Sequence, residues 1–356
     1  MPYLRNGIEG SDFLDSPRAM EPVAVVGIAC RFPGDASTPE RFWDLLQHGK
    51  CEFANTPGAW FGANLICQAA YSKVPNDRFL VEAFHDPNSS KPNTIASEGG
   101  HFLSQNVAAF DAPFFNITAS EARAMDPQQR HLLEVSYEAF ENAGLPLEEL
   151  AGSNTGCFVG CFTKDYSDMI VHDPETSPRY SATRTSASIL SNRISWFYNL
   201  KGPSMTLDTA CSSSLVGVHL ACQSLQLGES DMAIVGGSNL ILSPDLSMWL
   251  SNLNMLARDG LSKAFDSRAN GYGRGEGIAS LVLKPLANAI RDGNTIRAII
   301  RGTGVNQDGR TPGITLPNRQ AQEELIRSTY ARAGLDVAQT PYVEAHVRTH
   351  FPLDLE

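Results

Sequence analysis

One cysteine stands in a sequence context that suits nucleophilic chemistry. The segment Thr206–Leu215 reads TLDTACSSSL, an apolar strand that runs into small residues and then into a helix. Cys211 therefore lies at or near a helix N-terminus, where unpaired backbone N–H groups and the helix dipole favour the thiolate that attacks carbonyl carbons. Its small neighbours leave room for a thioester to approach. The alternative is a buried cysteine that only packs.

The other six cysteines are predicted to be structural or carry no interpretation. Cys30, Cys157 and Cys161 lie in predicted strands, and Cys222 lies on the core-facing side of the helix that follows Cys211. Cys157 and Cys161 share one side of a strand, but without a nearby histidine or further cysteine they do not predict a metal site. Cys51 and Cys67 fall in an irregular stretch.

Composition limits the class of protein. The net charge of −11 argues against a nucleic-acid partner or an anionic membrane, because Lys and Arg are scattered rather than clustered. The longest apolar run, Val23–Cys30, is too short to span a bilayer. Residues 1–20 mix both charges and are predicted to be a disordered leader rather than a signal peptide. Seven cysteines without paired spacing and without an export signal predict a reducing, cytoplasmic setting.

Strands and helices alternate along the chain. Val23–Cys30 is predicted to be a strand buried on both faces, followed by a helix with Thr38 as N-cap and Pro39 at its first position. Asp126 and Pro127 repeat that arrangement for a helix ending at Gly144. Further strands are predicted at Gly156–Phe162, Ser204–Thr209, Met232–Gly236, Ile278–Leu283 and Ile296–Gly302, and helices at Ser186–Phe197, Ser212–Leu227 and Arg319–Ala333.

This alternation predicts an α/β fold with a mostly parallel sheet covered on both faces. A division is predicted within the glycine-rich stretch 260–277, which separates residues 21–260 from residues 261–356. The stretch GYGRGEG lacks the last glycine of a dinucleotide-binding loop and is interpreted as structural.

Three charged residues at helical spacing, Asp126, Arg130 and Glu134, are interpreted as a structural ion-pair set rather than as catalytic acids. Asp208, close to Cys211, is interpreted as a local hydrogen-bond acceptor.

Several long segments resemble one enzyme family. DTACSSSLVGVHLACQSL is similar to the active-site segment of β-ketoacyl synthases, most closely those of fungal reducing-type polyketide synthases. The family's other segments lie along the chain before and after it, in the family's order. They are EPVAVVGIACRFPG, FDAPFFNITASEARAMDPQQRHLLEVSYEAFENAG, KAFDSRANGYGRGEG, RGTGVNQDGRTPGITLPN and YVEAH.

The resemblance implies a thiolase-like αβαβα layered sandwich of two related halves, the second of them incomplete here, in a homodimer. It implies that Cys211 accepts an acyl group and that a malonyl-type extender condenses with it. No cofactor is expected to bind directly, because acyl and malonyl groups arrive on the phosphopantetheine of acyl carrier protein. The implied partners are that carrier and other polyketide synthase domains. A degradative thiolase is disfavoured by the TACSSS context.

His346, at the end of the strand-like YVEAH, matches the first of the family's two catalytic histidines. The family continues with His-Gly-Thr-Gly-Thr, whereas this chain reads His346-Val-Arg-Thr-His350. The family's second histidine has no counterpart before residue 356, and His350 is not expected to replace it. The alternative function is therefore an inactive, truncated remnant or pseudoenzyme. The chain as written is expected not to condense acyl and malonyl thioesters at an appreciable rate, because catalytic groups act as a unit.

Three internal segments depart from the family pattern. Arg184 stands where glycine is usual, and an inward-pointing, unpaired charge would destabilise the fold. Ala257-Arg258 replaces Ser-Pro, and Pro57–Ser72 has no counterpart. The strands at Ile278–Leu283 and Ile296–Gly302 are expected to belong to a second sheet, which predicts low stability in the C-terminal third.

Overall fold

The structure, a computed structural model, describes residues 21–48, 70–88, 91–172, 181–263 and 266–346. Within these ranges the strands are β1 (Val23–Arg31), β2 (Ser72–Lys73), β3 (Gly99–Gly100), β4 (Thr155–Gly160), β5 (Ser204–Leu207), β6 (Met232–Asn239), β7 (Gly277–Pro285) and β8 (Ala298–Ile300). The helices are α1 (Pro39–His48), α2 (Ala119–Ala124), α3 (Pro127–Asn142), α4 (Leu147–Leu150), α5 (Asp165–His172), α6 (Ser181–Thr185), α7 (Ser188–Phe197), α8 (Ser213–Gln226), α9 (Asp245–Asn252), α10 (Leu286–Arg291) and α11 (Arg319–Ala333).

The central sheet is mixed, so the prediction of a mostly parallel sheet is wrong. Its order is β5-β4-β6-β7-β1-β8. Strand β4 runs parallel to β5 and β6, whereas β7 is antiparallel to both β6 and β1, and β8 is antiparallel to β1. Because Asn239 at the end of β6 pairs with Gly277 at the start of β7, the connection between them leaves and re-enters the sheet at the same end of these two strands. Such a connection makes neighbouring strands antiparallel.

The assignment of the later strands to a second sheet is also wrong. Strand β7 occupies the middle of the central sheet, between β6 and β1, and β8 pairs with β1. The proposed division after residue 260 stays a prediction. The segment 342–346, predicted to resemble a strand, has no regular secondary structure and pairs with no described strand.

The sheet has an apolar core on each face. Helix α3 packs on β1 and β7, and its cluster includes Ala24, Val26 and Leu132. Helix α8 packs on the opposite face, where Val23, Val25 and Val235 are buried. Alternate residues of β1 thus enter different cores, which confirms the prediction that this strand is buried on both faces.

The predicted helix boundaries follow from side-chain caps. Thr38 Oγ1 accepts a hydrogen bond from the Arg41 N–H at 3.3 Å, and Asp126 Oδ1 accepts one from the Gln128 N–H at 2.8 Å. Each of these bonds satisfies a backbone donor in the first turn of its helix. Helix α3 is followed by Gly144 in a left-handed conformation (φ 71°). Glycine adopts this conformation without the strain that a side chain would bring.

Several predictions concern residues outside the described ranges. These are the leader 1–20, Cys51, Cys67, His350 and all but the last three residues of Pro57–Ser72. Within the ranges that the structure does describe, no helix is long and apolar enough to cross a membrane.

Candidate active site

Cys211 lies on a tight turn between the end of β5 and the start of α8. The preceding residue, Ala210, has a positive φ of 56°, a conformation that costs a non-glycine residue on the order of 1 kcal/mol. Asp208 Oδ1 accepts a hydrogen bond from the Ala210 N–H at 3.1 Å, which agrees with its predicted role as a local acceptor. Helix α8 begins two residues after Cys211, so the thiol lies beside the positive end of a 14-residue helix.

The two serines that follow Cys211 bond back to the turn. Ser213 Oγ accepts from the Thr209 N–H at 2.8 Å and donates to the Ala210 carbonyl at 2.6 Å. Ser212 Oγ donates to the Thr209 carbonyl at 2.8 Å and lies 2.9 Å from Thr209 Oγ1. Local hydrogen bonds of this kind favour a turn over continued helix, and here they close the turn that carries Cys211.

Two glycines let α8 approach the sheet at the same point. A Cβ on Gly160, the last residue of β4, would lie about 2.5 Å from the Ser213 carbonyl carbon. A Cβ on Gly237 of β6 would lie 3.0 Å from Ser214 Cβ. Neither glycine was predicted from the sequence to matter for the site, although a glycine inside a strand is a signal of close backbone approach.

Cys211 opens into a pocket of about 410 Å³ between α8 and the sheet. Leu215 and Val218 of α8, Val235 of β6, and Leu281 of β7 contribute apolar side chains, and Phe32 lies on the wall as well. The thiol is exposed, so a reagent can reach it. A pocket of this size with a mostly apolar wall suits an acyl chain.

The other described thiols are chemically different. Burial raises the pKa of Cys30 and of Cys222 to about 11 and that of Cys157 to about 12, and it also raises the pKa of Cys161. Desolvation disfavours the charged thiolate at each of these positions. The prediction that these four cysteines pack in the core is confirmed, since all four are buried.

One wall of the pocket rests on a buried ion pair. The Glu276 carboxylate accepts from Arg78 Nε at 2.8 Å and from Arg78 Nη2 at 2.9 Å, and both side chains are almost fully buried. The same carboxylate accepts the N–H groups of Leu103 (2.9 Å) and Ile241 (3.1 Å). The glycine-rich stretch is therefore structural, as predicted. The partner, Arg78, was missed because it lies 198 residues earlier in the chain.

His346 does not belong to the described lining of the pocket around Cys211. It is exposed, in the irregular segment that follows a short 3-10 helix at Val337–Gln339. Its assignment as a catalytic residue stays a prediction.

The three charged residues of α3 are structural, but they do not form the predicted ion-pair set among themselves. Asp126 caps the helix. Arg130 donates from Nε to the Met125 carbonyl at 3.0 Å and from Nη1 to the Ala108 carbonyl at 3.0 Å, and Glu134 Oε1 accepts from the Asp111 N–H at 3.2 Å. The Arg130 and Glu134 side chains thus bond to backbone groups of neighbouring segments and not to each other.

The condition under which Arg184 would destabilise the fold, an inward-pointing and unpaired charge, is not met. Its side chain is half-buried and not isolated, and its carbonyl accepts from the Asp126 N–H at 2.9 Å and from Gln129 Nε2 at 3.0 Å. Arg184 thus belongs to the contact between α6 and the start of α3. Arg258, the other departure in sequence, is exposed.

Comparison with family models identifies the class of protein. The model described as "Beta-ketoacyl synthase, N-terminal domain" matches residues 20–289, and the model described as "Beta-ketoacyl synthase, C-terminal domain" matches residues 297–349. The chain belongs to the β-ketoacyl synthase family.

Curated relatives of the chain are fungal polyketide synthases. It is 56% identical to the highly reducing polyketide synthase Preu1 of Preussia isomera, over 91% of this chain and 13% of that protein. It is 54% identical to the partially reducing polyketide synthase tpeA of Talaromyces stipitatus, over 91% of this chain and 12% of that protein. The chain thus spans about an eighth of the length of these relatives.

Solved structures give the same fold. The ketosynthase from module 6 of the bacillaene synthase of Bacillus subtilis 168 matches with a TM-score of 0.75 at 38% identity, over 88% of this chain and 49% of that one. The oxazolomycin ketosynthase domain of Streptomyces albus JA3453 matches with a TM-score of 0.79 at 32% identity, over 88% and 51%. The fold is thiolase-like, and the chain spans about half of these ketosynthase chains.

Proposed function

We propose that the protein acts as the ketosynthase of polyketide assembly and that Cys211 is its acyl-accepting nucleophile. The observation that carries the proposal is the contrast among thiols. Cys211 is exposed in an apolar pocket at the start of α8, whereas Cys30, Cys157, Cys161 and Cys222 are buried and have raised pKa values. Only a thiolate attacks a thioester efficiently.

The proposed reaction has two halves. In the first, the Cys211 thiolate attacks an acyl thioester, forms a new S–acyl bond and releases the carrier thiol. In the second, a malonyl-type thioester loses CO₂, and the resulting enolate attacks the acyl carbon, forms a C–C bond and releases the Cys211 thiolate. His346 is proposed to stabilise the enolate oxygen by donating a hydrogen bond to it.

The proposed partners follow from this chemistry. Acyl carrier protein would deliver both thioesters on its phosphopantetheine arm, and further polyketide synthase domains would process the product.

A homodimer is proposed through β5, because this strand lies at the edge of the sheet and exposes Met205, while Trp196 on the adjoining α7 is also exposed. The proposed setting is the cytoplasm, since this chemistry requires reduced thiols.

The alternative of an inactive remnant is favoured by none of the relatives or structures. The first half-reaction separates the two functions. We expect hexanoyl-N-acetylcysteamine to add one hexanoyl group to the protein, with peptide mapping that places it on Cys211. Cys211→Ala should abolish the adduct. The matched variant Cys222→Ala, which removes a buried thiol of α8, should keep it.

Two results would contradict the proposal. One is acylation of Cys222 or Cys157 with Cys211 unmodified. The other is an absence of any acyl adduct on a folded protein whose Cys211 still reacts with iodoacetamide. The second result would favour the inactive alternative, because it would show an accessible thiol that does not catalyse acyl transfer.

A further inference from the structure

Ser213 is the buried link between the helix that follows Cys211 and the turn that precedes it. We infer that Ser213 is a positioning residue, which acts through the turn at Thr209 and Ala210 to direct the Cys211 thiol. The inference rests on the proposed function of Cys211. Ser213 itself is 4% exposed, and although it lies in the pocket wall, both hydrogen bonds of its hydroxyl are made to the turn.

The hydroxyl of Ser213 is bonded on both sides of the strained residue. It accepts from the Thr209 N–H, one residue before Ala210, and donates to the Ala210 carbonyl, which also accepts the Ser213 N–H at 3.1 Å. The peptide unit that joins Ala210 to Cys211 is therefore held by two donors. Since the direction of the Cys211 side chain depends on that peptide unit, loss of the Ser213 hydroxyl would let the thiol adopt other orientations.

The sheet fixes the other side of Ser213. The absent Cβ of Gly160 lets the backbone of Ser213 lie against the end of β4, where any side chain at residue 160 would overlap it. Ser213 therefore cannot move closer to the sheet. The hydrogen bonds of its hydroxyl keep Thr209 and Ala210 next to its side chain. Ser212 differs, because its hydroxyl is exposed and bonds only to Thr209.

Orientation matters for acyl transfer more than for simple alkylation. Transfer requires the sulfur, the acyl carbonyl and the groups that stabilise its oxyanion to be aligned, and a displacement of about 1 Å can lower such a rate on the order of 100-fold. Iodoacetamide is small and reacts with an exposed thiolate from many directions. The two reactions of one thiol therefore report separately on orientation and on accessibility.

The test compares Ser213→Ala with Ser328→Ala. Ser328 makes the same type of bond, from its hydroxyl to the carbonyl of Leu325 three residues earlier at 3.0 Å, but on exposed α11. In Ser213→Ala we expect the rate of Cys211 acylation by hexanoyl-N-acetylcysteamine to fall by about 10- to 100-fold. We expect the rate of alkylation by iodoacetamide to stay within about threefold of wild type, and Ser328→Ala to change neither rate.

Each outcome has a defined meaning. Equal losses in both reactions, or no loss in either, would overturn the role of Ser213. Rapid alkylation of buried Cys157 would show that Ser213→Ala does not fold. In that case Asp208→Ala decides, because it removes the exposed acceptor for the Ala210 N–H without touching the core. Loss of acylation with retained alkylation in that variant supports the inference, and unchanged acylation overturns it. Wild-type protein that is alkylated but never acylated would instead contradict the proposed function.

Discussion

At the scale of residues, burial decides how readily thiol and carboxyl groups become charged near neutral pH. It raises the pKa of Cys30 and Cys222 to about 11 and that of Cys157 to about 12, values at which the thiolate is scarce near neutral pH, and it raises the pKa of Cys161 as well. It acts in the same direction on Asp126, the N-cap of α3, whose pKa is raised to about 6. The hydrogen bonds from Gln128 and the charge of Arg130 oppose this shift, but desolvation is the larger effect.

Asp126 predicts a pH dependence of stability. Its ordinary pKa is 3.8, so between pH 4 and pH 6 the folded state binds a proton that the unfolded state has released. The stability that this group contributes is thus present below pH 4 and is lost as the pH rises toward 6, by on the order of 2–3 kcal/mol. Asp126→Asn keeps a good N-cap acceptor but cannot titrate. Its unfolding free energy should therefore fall less between pH 4 and pH 6 than that of wild type, as measured by urea denaturation.

Asp266→Asn is the matched control for this experiment. The hydrogen bonds and charge of Arg268 lower the pKa of Asp266 to about 2, so its contribution is lost only as the pH falls below 4. Removal of this carboxylate should leave the slope between pH 4 and pH 6 unchanged. A slope in Asp126→Asn equal to that of wild type would contradict the assignment of the effect to Asp126.

At the scale of elements, Glu276 joins the segments that contain Arg78, Leu103 and Ile241 to the start of β7. One Glu276 oxygen accepts from Arg78 and Leu103, and the other accepts from Arg78 and Ile241. An interior carboxylate with four donors is satisfied without water, which offsets the cost of removing it from solvent.

Glu276→Gln should lower the unfolding free energy by about 3–5 kcal/mol, because it leaves the Arg78 charge buried and turns an amide N–H₂ toward backbone donors. Asp77→Asn removes the other carboxylate at Arg78, which lies on the exposed side at 2.9 Å, and should cost about 1 kcal/mol or less. Thermal and chemical denaturation of both variants measure the difference. Equal effects would mean that the interior pair contributes no more than the exposed one.

At the scale of the whole molecule, the sheet and the last described segments differ in burial. Strand β7 lies between two neighbours and has buried residues on both faces, whereas helix α11 has no buried residue among those described. Ile314, before α11, is fully exposed. We therefore expect the low stability predicted for the C-terminal third to begin after β8 rather than at Ile278.

Hydrogen exchange followed by mass spectrometry tests this distribution. Peptides from β1, β4, β6 and β7 should exchange slowly, and peptides that cover residues 301–346 should exchange at least tenfold faster, because exposed backbone hydrogen bonds open locally. Peptides from β4 serve as the internal reference, since every residue of that strand is buried. Protection of α11 equal to that of β7 would contradict the expectation.

The sequence by itself determined the local features of this protein. The run TLDTACSSSL placed Cys211 between a strand and a helix, and the bounds of α11 agree with the prediction at both ends, because caps and periodicity act over a few residues. The tertiary structure decided what depends on distant neighbours. It set the antiparallel placement of β7, the pairing of Arg78 with Glu276, and the close contact of Gly160 with Ser213. Strand direction and buried ion pairs join residues far apart in sequence, and no local pattern specifies which of them meet.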